Sequence, residues 1–530
     1  MKRTSLYLLI GLILGQSAIA GAAEPLDLET VTRIRDQGLK QSRVMETAEH
    51  LTTVIGPRLT GSPAMKEAAE WAVEELKSWG IEHAATESFE FGRGWTFSRA
   101  SVHMVEPHQL PLIALPRAWS PGTKKPATGE VVQVSLETEE DLKEYEGQLG
   151  GKILFLDEAR TIEPPERPPF RRHDEASLEE IEEYNIRLGG SPEWRKKRKA
   201  RREFLKVLVP WLENEKVLAT VSQSGWDAGL LRMHRGGSSK AGDPVGVPQL
   251  TMAAEHYNRI VRLLDKEIPV ELEIDIDARF HEKDVQGYNV IAEIPGTDPE
   301  AGVVMAGGHL DSWHTGTGAT DNAGSCAAIM EALRILHVLE IKPKRTIRIA
   351  LWDAEEQGLR GSRAYVERHF ASRPDPEDPE QLKLPPFMRD PTWPVEPRPD
   401  HGRLSAYFNM DNGGGKIRGI YAQENAAVVP IFQAWMEPFQ DLGAGAVSMR
   451  TTGSTDHIPF NQVGLPGFQF IQEPLHYFSW THHSNMDLFD HLQEKDLRQA
   501  SVVIASFLYH AAMRDDLLPR KPMPTEPKKD

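Results

Sequence analysis

From Tyr288 onward the chain alternates short apolar runs with longer amphipathic stretches, and this alternation leaves few folds open. Asn289–Ile294, Val303–Gly307, Thr346–Trp352, Leu404–Met410 and Phe468–Ile471 have strand length and are rich in apolar side chains. Helical patterns run from Ala323 to about Leu339, from Leu359 to Phe370 and from Lys495 to Met513. Strands covered on both faces read as continuous apolar runs, which points to parallel pairing. The expected class is α/β, an α/β/α sandwich on a mostly parallel central sheet whose functional loops gather at the strand C-terminal edges.

The chemistry-bearing residues fall at those edges. VVMAGGHLDSWHTGTGATDNAG, from Val303 to Gly324, supplies His309, Asp311 and Asp321; Glu355, Glu356, Asp411 and His483 follow later. Imidazole and carboxylate donors suit hydrolytic zinc, because three protein ligands per ion leave a position open for water. His309 ends its strand, and Asp311 can reach back to fix the imidazole's other nitrogen. Asp321 sits in a Gly-Ala-Thr-Asp-Asn-Ala-Gly turn, where a carboxylate with two free oxygens can bridge two metals. Glu355 and Glu356 leave their strand in different directions, so one can bind metal while its neighbour takes a proton from water.

The remainder of the chain bounds the reading. At 530 residues it exceeds one ordinary core, and a net charge of -17 disfavours nucleic acid as a partner. MKRTSLYLLIGLILGQSAIA has the basic start, short apolar core and small residues of a cleaved secretory signal, with cleavage after Ala20 or Ala23. Export to the periplasm or outside the cell is expected, with no stable membrane insertion after signal removal. The lone Cys326 cannot form an internal disulfide and reads as core packing. Helices are expected from about Leu26 to Thr53 and from Ala64 to Trp79, the second capped by Ser62 with Pro63 at its first position. The expected organisation is a signal at 1–23, two segments of one α/β domain at 24–102 and 281–515, an inserted domain at 103–280, and a disordered tail at 516–530. Within the insertion, the basic run Arg195–Arg202 follows acidic residues around Glu179–Glu183 and reads as a solvated helix rather than a binding patch.

The motifs GGHLDSW, GATDNAG, LWDAEEQG, the Asp411 strand end and THHSNMD, with GPRLTGSP and GYNVIAEIPGT ahead of them, resemble metallopeptidase family twenty-eight. This family comprises co-catalytic zinc exopeptidases, and the resemblance is strongest to its plasma glutamate carboxypeptidase (carboxypeptidase Q) branch. It implies two Zn2+, one completed by His309 and Asp411, the other by Glu356 and His483, with Asp321 bridging; His482 is the rival for the second histidine, and the spacing of His483 to Asp487 matches the family's H-x-x-x-D pattern better. Glu355 would be the general base, Asp311 the partner of His309, and the insertion a protease-associated-like domain. Hydrolysis would use a metal-bridging water on peptides near their termini or on dipeptides. Many family members carry Tyr immediately before the last histidine; here His482 stands there, leaving His482 or Tyr477 as oxyanion donor.

His314, His337, His369, His476 and His491 read as surface or satisfied residues; Asp353 and Asp456 suit structural hydrogen bonds. Trp313 and Trp480 flank ligands and serve pocket or core. The insertions Ile162–Leu205 and Ser372–Arg403 are candidates for covering the cleft or for a homodimer contact. Two other classes compete: a single-zinc acyltransferase of the glutaminyl cyclase type, and a non-catalytic receptor on the same fold. Retention of every ligand, His309 and Asp411 included, favours the two-ion hydrolase.

Overall fold

The computed structural model describes residues 24–526, apart from 165, 167, 186–191, 383 and 385–388. The expected signal at 1–23 lies outside the described residues. Helix α1 (Leu28–Lys40) opens the described chain, and α2 (Pro63–Ser78) follows. Ser62 caps α2 as its sequence predicts, its side chain accepting the Met65 N–H at 3.2 Å with Pro63 in the first turn. The single helix expected over Leu26–Thr53 is instead α1 followed by Val44–Glu49 and a wider turn at His50–Ile55.

Strand β1 (His83–Glu90) precedes a long excursion, and the chain returns in β2 (Gln286–Ile294), β3 (Val303–His309) and β4 (Thr346–Trp352). It continues through β5 (Leu404–Asn409), β6 (Ile417–Tyr421), β7 (Ala446–Ser448) and β8 (Gly467–Gln472). These eight form one mixed sheet, ordered β1-β2-β4-β3-β5-β8-β6-β7. The central strands β4, β3, β5 and β8 run parallel, while β1 on β2, β2 on β4 and β8 on β6 are antiparallel. Every residue of β3 is buried. Its side chains alternate between two cores: Val304 and Ala306 face helices α1, α2, α3 (Gly324–Val338) and α5 (Glu494–Met513), whereas Val303 and Met305 join Tyr365 and Val366 of α4 (Arg360–His369). The result is the layered α/β arrangement expected.

A second eight-stranded sheet is built between Gly94 and His281. Its first strand starts at Gly94, ahead of the boundary expected at 103, because Gly94–Glu106 pairs as one continuous strand with Glu271–His281. Val102, Val131, Ile153, Val221, Leu250 and Ile274 fill its core. Helix Pro192–Asn214 buries Phe204, Leu208 and Leu212 at four-residue spacing, while Lys196, Lys197, Lys199 and Arg201 of the basic run are exposed. The preceding helix, Glu175–Glu182, packs elsewhere: Glu182 accepts the Val447 N–H and Ile181 O accepts the Ser448 hydroxyl, covering edge strand β7 of the first sheet.

The tail corrects the expectation of disorder for 516–526. Leu518 is buried, and Arg520 donates to carbonyls of His401, Gly402 and Leu404, so apolar burial and charge-assisted hydrogen bonds hold a segment whose composition looks solvated. No helix among the described residues is long and apolar enough to cross a membrane.

Candidate active site

Packing around β3 determines where the first ligand can stand. A Cβ at Gly307 would meet the Ala350 carbonyl at 2.6 Å, and one at Gly308 the Met410 carbonyl at 2.8 Å. The two glycines let β3 run this close to β4 and to the end of β5, delivering His309 between Trp352 and Asp411. His309 Nδ1–H donates to the Asp311 backbone carbonyl at 2.9 Å, which leaves the lone pair on Nε2. Nε2 stands 3.3 Å from both Asp321 Oδ1 and Asp411 Oδ1.

On the other side of Asp321, His483 Nε2 lies 3.6 Å from Oδ2 and 3.0 Å from Glu356 Oε2. Asp321 therefore touches two clusters, one oxygen each. His309, Asp321 and Asp411 place their ligand atoms within 4.8 Å of one another, as do His309, Glu355 and Glu356. All five expected metal ligands and Glu355 are thus brought to one place. The donor set fits cations: Asp321 Oδ2 and Glu356 Oε1 are buried without a hydrogen-bond partner, a costly state that a bound cation would relieve. Burial opposes charge on His309, yet Asp411 and the neighbouring carboxylates outweigh it and raise its pKa well above the usual imidazole value. Burial likewise would raise Asp321, but His309, His483 and His482 hold its carboxyl well below the ordinary range.

Asp311 faces both His309 and the two glutamates. Its carbonyl accepts His309 Nδ1–H at 2.9 Å and its carboxylate Oδ1 lies 3.6 Å from the same nitrogen; the carboxylate also accepts the Glu355 N–H at 3.1 Å, the Glu356 N–H at 3.3 Å and the Thr60 hydroxyl at 3.1 Å. A side chain two residues beyond His309 is turned under the β4 loop by these donors, so Asp311 orients both glutamates. Burial pushes Glu355 well above the usual carboxylate range and raises Glu356 as well.

Further supports lie within or near the quoted motifs, though the motifs do not show what each side chain holds. Arg58 is fully buried and donates to carbonyls of Leu51, Gly56, Leu310, Thr317 and Gly318, tying the N-terminal loop to both ends of the ligand loop. Asp487 accepts N–H groups of Thr320 and Asp321 and the Thr320 hydroxyl; burial raises it to about 7. It closes the motif THHSNMD, four residues after His483. Tyr477 donates its hydroxyl to Asp321 Oδ1 at 3.0 Å, and Trp313 Nε1 donates to Glu356 Oε2 at 2.7 Å. Cys326 is buried with Sγ 2.9 Å from the His309 carbonyl, its thiol pushed up to about 12 by burial.

Four of the histidines read as satisfied have partners of their own. His314 Nε2 donates to the Pro116 carbonyl, His369 pairs with Glu87, and His476 hydrogen-bonds His491. Asp353 accepts the Tyr288 N–H and Asp456 the Ser362 hydroxyl. The cleft beside the ligands is lined by Trp313, Gly316, Gly318, Asp321, His483 and Asp487. A cavity among Gly302, Arg348, His369 and Arg403 opens at the opposite ends of β3 and β4 and contains none of these groups.

Residues 289–508, the stretch holding every one of these ligands, match the model of Peptidase family M28. Over that segment the chain is similar to peptidase family M28. Carboxypeptidase Q of Bos taurus is 26% identical over 495 residues, which cover 93% of this chain and 90% of that protein. A Peptidase M28 precursor from Shewanella amazonensis superposes with a TM-score of 0.65 at 23% identity, covering 94% of this chain and 99% of that one. A zinc aminopeptidase from Bacillus subtilis superposes with a TM-score of 0.54 at 17% identity, covering 89% and 95%. The two superpositions speak for a shared fold. The likeness agrees with the geometry: donors for cations converge at the parallel strand edges, and the Glu355 carboxylate stands beside them.

Proposed function

We propose that this chain is an exported two-zinc exopeptidase, cleaving peptide bonds near chain termini or in dipeptides. The observation that carries the reading is the sharing of Asp321: Oδ1 with His309 and Asp411, Oδ2 with His483 and Glu356. His309 and Asp411 would hold one ion, His483 and Glu356 the other, and Asp321 both. The match to carboxypeptidase Q along nearly the whole chain, and the zinc named for the Bacillus subtilis aminopeptidase, support the same metal and substrate class. In this reading the second sheet is the protease-associated-like insertion, and residues 1–23 direct export.

Zinc bound at such a site polarises the scissile carbonyl and makes water acidic enough to lose a proton near neutral pH. The protein's own part begins with Glu355. Its carboxylate accepts the proton of the attacking water and returns it to the leaving amine. Asp311 aims Glu355 and Glu356 through their backbone N–H groups. Because the Tyr477 hydroxyl is engaged with Asp321, His482 is the donor for the developing oxyanion. Metal counting on the purified chain, paired with dipeptides and amino-blocked dipeptides with and without chelator, tests the reading. About two zinc per chain with chelator-sensitive cleavage is expected; one zinc without cleavage, or no metal and no turnover, refutes it.

A further inference from the structure

The second sheet does not merely stand beside the ligands. Its loop after strand Ala219–Gln223 reaches the His483 loop and pairs with it. Leu231 N–H donates to Asn485 Oδ1 at 2.8 Å, Met233 N–H donates to the His483 carbonyl at 2.8 Å, and Arg232 forms an antiparallel bridge with Ser484. Leu231 and Met233 are fully buried anchors. Side chains alternate along extended backbone, so anchoring these two turns Arg232 the other way, toward the ligand loop. There a guanidinium nitrogen of Arg232 lies 3.3 Å from His482 Nδ1. Arg232 Nε is buried without a hydrogen-bond partner, and among the described residues no carboxylate pairs with this arginine.

That contact decides the chemistry of His482. A guanidinium has donors and no acceptor, so Nδ1 must be the acceptor and must carry no proton. A charged ring would put an N–H against the guanidinium. The ring is therefore neutral with its single proton on Nε2, and among the described residues no hydrogen bond engages Nε2. A ring nitrogen of His482 lies within 4.8 Å of the ligating atoms of Asp321 and His483. The Tyr477 hydroxyl, by contrast, is already donated to Asp321.

We propose that Arg232, supplied by the second sheet, is a positioning residue that locks His482 in the Nε2–H tautomer and so makes it an oxyanion donor. The idea rests on the two-zinc peptidase reading for its reaction, and on geometry alone for the tautomer. A tyrosine at 482 would need no such partner, since its hydroxyl donates in any rotamer state. This gives a double-mutant test.

The experiment measures kcat, KM and metal content on a dipeptide for Arg232→Met, Arg232→Lys, His482→Tyr and the Arg232→Met/His482→Tyr pair. Arg232→Met is expected to lower kcat by about tenfold or more at nearly constant KM and full metal content, on the scale of oxyanion donors. Arg232→Lys, which still donates to Nδ1, should recover most of that loss. In the His482→Tyr background, Arg232→Met should change kcat less than about twofold. An equal loss in both backgrounds overturns the proposal, as does a rise in KM at unchanged kcat, which would make the guanidinium a substrate contact. Spectra of isotope-labelled histidine, with His482 assigned by its absence in His482→Tyr, read the tautomer directly even if a variant lacks turnover. Nε2–H in the parent and a mixture in Arg232→Met support the lock; no change between them sinks it. A parent chain with no chelator-sensitive hydrolysis would instead remove the peptidase reading, leaving the tautomer measurement to judge the contact by itself.

Discussion

At the scale of single residues, two carboxylates within one turn do unlike work because their surroundings differ. Glu356 is fixed by Trp313 and His483, whereas Glu355 keeps its carboxylate free while its backbone N–H is held by Asp311. Glu355→Gln should retain metal, measured on the purified protein, yet lose about 10²–10⁴-fold in kcat, the usual range for a general base. Asp487→Asn tests support of a different kind. It removes an anionic acceptor from the N–H groups of Thr320 and Asp321, and competition with a chromogenic chelator should show metal affinity reduced about 10–100-fold. Unchanged affinity would mean that the ligand loop holds its shape without Asp487. The pattern GATDNAG makes Asp321 legible in the sequence; the carboxylate that holds its loop closes the motif THHSNMD far along the chain, and nothing local shows which loop it holds.

At the scale of elements, the ligand loop between β3 and α3 has little regular structure of its own and is held from outside. Arg58 is the main clamp. Five backbone carbonyls receive its guanidinium, and burial lowers its pKa. Arg58→Met should cost more than about 3 kcal/mol in denaturant unfolding, since carbonyls left buried without donors carry their full desolvation penalty. A cost below about 1 kcal/mol would show that water or backbone movement replaces the clamp. The strands that aim the ligands were readable as apolar runs, because each is buried on both faces. The N-terminal helix broken into three pieces was not, because the turn at His50–Ile55 is set by the contacts its residues make with the rest of the fold.

At the scale of the whole molecule, folding gathers acids into one low-dielectric region, and that has a pH signature. Burial raises Glu355 and Glu356, Asp353 and Asp487 to about 7 in the latter pair, and Asp456 to about 8. A carboxyl whose folded pKa is raised contributes stability while both states are protonated, below its unfolded value near 4. That contribution is lost as pH rises toward the folded value, because only the unfolded chain ionises freely. Cations at the cluster offset the repulsion. The gap in melting temperature between metal-loaded and chelated protein should therefore widen from pH 5 to pH 8, a comparison in which groups remote from the site cancel. A gap independent of pH would separate the acids from the metal site.

The sequence by itself determined the layered α/β class, the strand edges as the place of chemistry, and the identity of His309, Asp321, Glu355, Glu356, Asp411 and His483 as candidates. These follow from local periodicity and from residue types that only a few chemistries can use. Tertiary structure alone decided that Asp311 serves the glutamates through its carboxylate and His309 through its carbonyl, that Arg58 and Asp487 hold the ligand loop, and that the second sheet sends Arg232 to His482. It also ordered residues 516–526, whose polar composition reads as solvent-exposed. The physical reason is common to all of these: each depends on a hydrogen bond or a burial event between segments far apart in the chain, and such partners leave no periodic trace in either segment alone.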